Sequence, residues 1–161
     1  VAGGVFTLLV LLTGAGVLLS ALTGAPTTAP PGSVPVTAPT QVQAIGEWYR
    51  GGGRQILGDL AEDFQNAGTA TSAEGLRAAC TGLRGHVQAA QAYAPIPDAE
   101  AHRHFAAALD RFAVGAGDCL AGLNGASPGL IDKAGQELAA GTQSLGESTR
   151  RIASLAGGRP I

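Results

Sequence analysis

Residues 76–123 read LRAACTGLRGHVQAAQAYAPIPDAEAHRHFAAALDRFAVGAGDCLAGL. Before the break at Ala94-Pro95-Ile96-Pro97-Asp98, apolar side chains at Leu76, Cys80, Leu83, Val87 and Ala90 step by fours and threes. After it, Phe105, Leu109, Phe112, Ala116, Cys119 and Leu123 keep the same rhythm. That spacing puts one stripe of a 3.6-residue helix against a neighbour. The stretch therefore predicts two helices joined by a proline turn, with one of the chain's two cysteines on each facing seam.

Helical rise tests whether those cysteines can meet. Cys80 stands 13 residues before Tyr93, about 20 Å of helix, and Cys119 stands 20 after Ala99, about 30 Å. Three extended residues, Pro95-Ile96-Pro97, span about the missing 10 Å. A Cys80–Cys119 disulfide is expected in an oxidising compartment, closing a loop of about 40 residues and adding at most about 4 kcal/mol. The plain alternative is a pair of buried thiols acting as small hydrophobes. A redox-active pair lacks the CxxC spacing.

Outward from the hairpin, the pattern continues in both directions. A first helix is expected from Thr40 to about Ala67 on the stripe Ile45, Tyr49, Gly52, Ile56, Leu60 and Phe64, with Trp48 and Leu57 alongside. Gly51-Gly52-Gly53 interrupts it with a kink or a split, since each interior glycine costs up to about 1 kcal/mol against alanine. Gly68 is placed to cap its end. Thr71-Ser72-Ala73-Glu74 has capping-box spacing for the second helix, from Ser72 to Tyr93. Asp98 caps the third, which ends at Asn124 before Gly125, and Ser127-Pro128 starts the fourth. Ile131, Ala134, Leu138, Gly141, Leu145, Ser148, Ile152 and Leu155 form its stripe, and Gly157-Gly158 ends it. Short turns make neighbours antiparallel. Thr40–Ile161 is expected to be an antiparallel four-helix bundle in an all-α chain.

The first 39 residues have another character. Val1–Leu22 carries no charge, and the first charged residue of the 161 is Glu47. Twenty-two residues of helix span about 33 Å, enough for a hydrocarbon core of about 30 Å. A transmembrane anchor is the reading preferred over a cleaved signal, whose apolar region is shorter. Ala25, Ala29 and Ala38 are each followed by proline, which is poor for cleavage. No cysteine follows the run to carry a lipid. Thr23–Pro39 holds Pro26, Pro30, Pro31, Pro35 and Pro39 among small residues, which favours extended geometry and a semi-stiff Pro-rich stalk. The flank after the anchor has no positive residue before Arg50, in keeping with a C-terminal domain outside the cell membrane. If the first segment is cleaved, the domain is secreted.

Composition narrows the partners. Net charge is −2 and only 14% of residues are charged, with Arg150-Arg151 the sole adjacent basic pair, so nucleic acid is not an expected partner. Aromatics are 4% and methionine is absent, so the core must be thin and alanine-lined.

Candidate chemistry is sparse. His102 and His104 lie about 200° apart on a helix and cannot share one metal, and His86 has no second ligand at suitable spacing. All three are expected at the surface. Asp59, Glu62 and Asp63 share a face that reads as exposed and acidic, without the ordered loop that calcium prefers. Gly51-Gly52-Gly53-Arg54-Gln55 lacks the ending of a phosphate loop, and no G-x-S-x-G occurs. No cofactor, metal or enzyme activity is implied. Trp48, Tyr49, Arg50, Tyr93 and Ile96 remain as candidate partner-binding residues, because such side chains dominate interface energies. They read equally as a lid packed on one end of the bundle.

The combination of Trp48-Tyr49-x-Gly51-Gly52, Ala79-Cys80, Gln91-Ala92-Tyr93, the Pro-Ile-Pro-Asp turn, Asp118-Cys119-x-x-Gly122 and a final amphipathic helix resembles a group of Ala-rich, membrane-anchored or exported helical proteins of high-G+C Gram-positive bacteria. The resemblance covers about Trp48 to Leu155. It implies an envelope location and a two-cysteine helical domain, and it brings no catalytic residue. The functional expectation is binding or scaffolding in the envelope, with another envelope protein or a small apolar ligand as partner. A sensor signalling through the anchor and an envelope hydrolase or transferase are the alternatives.

Overall fold

The structure, a computed structural model, describes residues 40–155. The expected anchor, Val1–Leu22, and stalk, Thr23–Pro39, lie outside the described residues. Among those described, no helix is long and apolar enough to cross a membrane. They are all-helical: α1 (Gln41–Trp48), a π-helical turn (Tyr49–Gly53), α2 (Arg54–Thr69), α3 (Ala73–Ala92), α4 (Ala99–Asn124) and α5 (Pro128–Leu155).

Each boundary has a local cause. Thr40 starts α1 in a capping box with Gln43, whose side-chain oxygen accepts the Thr40 N–H at 2.8 Å. The expected long first helix breaks at the glycines, where Gly52 adopts φ 154°, a conformation that L side chains rarely take. Two expected ends are corrected. Helix α2 runs past Gly68 to Thr69 and is closed by extended Ala70, so Gly68 caps nothing. The N-cap of α3 is Ser72, not Thr71, and its hydroxyl accepts from the Gly75 N–H. That register puts Gly75, not Glu74, at the third helical position and dissolves the expected capping box. Asp98 caps α4 as its spacing suggests, accepting from the Ala101 N–H at 2.8 Å.

Partner numbers fix the register. Between α3 and α4, Arg77 reaches Asn124, Cys80 joins Cys119 and Gln91 reaches Asp110, so paired numbers add to about 200. On that register Ala92, the last residue of α3, is level with about Ala108. The first nine residues of α4 therefore stand about 13 Å beyond the end of α3. The extended Tyr93–Asp98 connection makes that climb, with Ile96 tucked in at 4% exposure. Helix α1 fills the step it leaves. Trp48 stacks edgewise on Phe105 at 6.1 Å and on Tyr93 at 5.9 Å, and its indole N–H donates to the Ala94 carbonyl at 2.7 Å.

Helices α4 and α5 approach most closely. Ala101, Ala108, Gly115 and Gly122 recur every seven residues on α4 and face Ala134, Gly141 and Ser148, also seven apart, on α5; all seven are buried. A Cβ on Gly141 would lie 2.4 Å from the Phe112 ring, and one on Gly115 would lie 2.8 Å from Leu138. The Ser148 hydroxyl donates to the Ala101 carbonyl at 2.8 Å. Ion pairs Arg111–Glu137 (2.8 Å) and Lys133–Asp118 (3.0 Å), and a His104–Glu147 contact (2.9 Å), run along the same interface. Lys133 lies off the hydrogen-bonding line of the Asp118 oxygen, so that contact is charge attraction alone.

The bundle is open along one edge. Helix α2 packs on α3, α3 on α4 and α4 on α5, but no Cα of α2 comes within 8 Å of α5. With Cα atoms about 2.3 Å from each axis, those two axes are more than about 12 Å apart where they face, beyond the 8–10 Å of close-packed helices. Only α1 bridges to α5, at the end where Asp98 sits.

Candidate functional site

The sequence-selected residues fall into two places. Cys80 and Cys119 are joined by a disulfide across α3 and α4, with Cα atoms 6.4 Å apart and exposures of 1% and 3%. Leu76, Leu120, Leu123 and Ala134 pack around it. A bridge buried this deeply is shielded from thiols in solution and acts as a staple.

The aromatic cluster forms the lid over the step. Trp48 and Ile96 are buried, Tyr49 and Tyr93 are half-buried, and Arg50 is exposed. The Tyr93 hydroxyl donates to the Trp48 carbonyl at 3.4 Å. The glycine triplet makes this closure possible: a Cβ on Gly53 would overlap the Trp48 ring at 2.4 Å, and one on Gly52 would crowd Tyr93 at 3.0 Å. Outside the lid, Tyr49, Arg50, Gly51, Gly52, Arg54 and Gln55 line an open depression of about 410 Å³. Of the five residues, only Tyr49, Tyr93 and Arg50 keep surface that a partner could touch.

Asp98 joins three elements. Its Oδ1 accepts the Ala101 N–H and, at 3.2 Å, Arg151 Nε from α5; its Oδ2 accepts Gln41 Nε2 from α1 at 2.6 Å and Arg151 Nη2 at 3.2 Å. The carboxylate is 4% exposed. The Arg151 guanidinium and the Ala101 N–H hold the Asp98 carboxyl below its ordinary value, against the opposing effect of burial. Sequence spacing marks Asp98 as a cap; nothing in it shows that residues 57 and 53 positions away converge on the same oxygens.

The acidic face of α2 is corrected. Asp63 is not an exposed member of it but a buried carboxylate, and its Oδ2 lies 2.6 Å from His86 Nδ1 on α3. Gly82 makes the room, since a Cβ there would lie 2.6 Å from Asp63 Oδ1. The hydrogen bond to Asp63 raises the His86 pKa above 6.5, with smaller contributions from Asp59 and Glu62, while burial works the other way. The histidines are likewise not simply surface groups. His102 and His104 are half-buried, His104 faces Glu147, and the buried His102 Nδ1 has no hydrogen-bond partner. Among the described residues no three ligand side chains converge on a metal position.

The open edge carries the remaining apolar surface. Ile56, Leu57 and Phe64 of α2 form one rim, and Leu138, Leu145 and Ile152 of α5, seven residues apart, form the other. All six are half-buried, and Phe64 crosses to stack edgewise on Phe112 of α4 at 4.7 Å. Sequence periodicity finds these residues but assigns them to a closed bundle core.

Compared with known proteins, the chain matches no family model, no curated protein and no solved structure.

Proposed function

We propose that this chain is a membrane-tethered helical domain on the outer side of the membrane that works by binding, and that the apolar edge between α2 and α5 is the surface it offers to another envelope protein. The observation that carries this reading is the edge itself. Two helices present aligned, half-buried Leu, Ile and Phe side chains without closing on each other. A helix from a partner could lay an apolar stripe between them, burying surface at about 25 cal/mol per Å². The uncharged Val1–Leu22 and proline-rich Thr23–Pro39 support the tether, and a buried disulfide suits an oxidising exterior.

Photo-crosslinking in native membranes tests it. A crosslinking residue at Leu145 or Phe64 should capture a membrane-associated protein. The same residue at Val114, exposed on the outward side of α4, should not. Equal capture from all three positions, or none from the edge, overturns the binding surface. External protease that fails to reach the domain in intact cells overturns the orientation.

A further inference from the structure

Helix α2 is attached differently from every other long helix here. It hangs from the π-helical turn, where Gly52 supplies a backbone hinge, and it lies against α3 on one side with nothing close-packed on the other. Its grip on α3 includes a buried charge. Asp63, with its side chain 8% exposed, points into the notch at Gly82 and meets one nitrogen of His86, whose ring is 44% exposed and so exchanges protons freely with solvent. The carboxylates that act on the ring, Asp63, Asp59 and Glu62, are all on α2.

We propose that the Asp63–His86 pair is a proton-operated latch, holding α2 shut on α3 when the ring is charged and loosening it when the ring is neutral, so that the Phe64–Phe112 contact beneath becomes accessible. With the imidazolium present, three carboxylates of α2 face one cation, and the buried one is paired. Losing that proton leaves Nδ1–H able to donate but removes the countercharge, so a sequestered carboxylate sits beside Asp59 and Glu62 with no positive partner. Such a group favours water, and the route to water is rotation of α2 about its hinge away from α3. Since α2 is one rim of that edge, proton concentration would govern access to the surface assigned to partner binding; the latch rests on that reading only for what the opened edge captures.

Hydrogen exchange read by mass spectrometry on the full 161-residue chain tests the latch. Corrected for the intrinsic pH dependence of exchange, protection of α2 amides should fall about three- to tenfold from pH 5.5 to pH 8.5, with α4 and α5 unchanged. His86→Gln should abolish that response, and His104→Gln, which breaks the other histidine–carboxylate pair, should keep it. An α2 response equal to that of α4 and α5, no response at all, or one that survives His86→Gln overturns the proposal. Exchange reads the latch without a partner and crosslinking reads the edge at fixed pH, so either idea can fail alone.

Discussion

Replacing Asp98 dissects the joint that holds α1, α4 and α5 together. Asp98→Ala removes an N-cap, worth about 1 kcal/mol. It also takes from Arg151 its buried partner, a carboxylate 4% exposed against a guanidinium 35% exposed, and leaves it only the exposed Glu100 at 3.2 Å. Breaking a fully buried pair costs about 3–5 kcal/mol and a surface pair about 0–1, so the intermediate exposure places this loss at about 1–2. The total is about 2–3 kcal/mol, or a fall in Tm of about 10 °C for a domain of this size. Asp98→Asn keeps the cap oxygen and loses the charge, so it should cost about 1–2 kcal/mol. Urea unfolding of both variants against the parent measures the difference. A loss below about 1 kcal/mol for Asp98→Ala would refute the joint, and equal losses for the two would refute the cap's share. The sign with pH is also fixed. The folded Asp98 pKa lies below its ordinary 3.8, so its contribution is present above that value and disappears as pH falls through the folded pKa.

Other outcomes follow from the same geometry. Gly141→Ala should cost about 2–3 kcal/mol by forcing its methyl group into Phe112, whereas Gly135→Ala, with open space around it, should be neutral or slightly stabilising in a thermal melt. Reducing Cys80–Cys119, or replacing both with Ser, should lower unfolding stability by about 2–4 kcal/mol, and the intact-mass difference on reduction should be two hydrogens. His86 has a raised folded pKa, so its contribution is full below about 6.5 and lost as pH rises through the folded value; urea midpoints of the parent and His86→Gln should converge at alkaline pH.

The helices themselves were legible because their signals are local. Leu83, Val87, Phe105 and Phe112 repeat at helical spacing, Asp98 and Ser127-Pro128 mark starts, and three consecutive glycines mark a break. The closest packing was not, because Ala101, Ala108, Gly115 and Gly122 carry little hydrophobic signal; their meaning is the space they leave for Leu138 and Ile131. Asp63 misled for a different reason. Its two acidic neighbours read as a solvated face, and the glycine and histidine that bury it lie on the next helix, 19 and 23 residues on. The open edge was equally hidden, since the stripes on α2 and α5 are the same whether or not those helices meet.

The position of the staple decides how this domain would respond to tension. Gln41 and Arg151 meet at Asp98, so the chain comes into and leaves the described helices at one end, while the disulfide joins α3 and α4 some 20 residues of helix below that end. A pull on the two ends would first strain the Asp98 joint and peel α1 and α2 away. When it reached Cys80, load would pass through the sulfur bridge to Cys119, 39 positions further on, skipping the segment between them. At about 3.3–3.6 Å per residue, about 130 Å of chain could never be drawn out. The hairpin would behave as a stop knot.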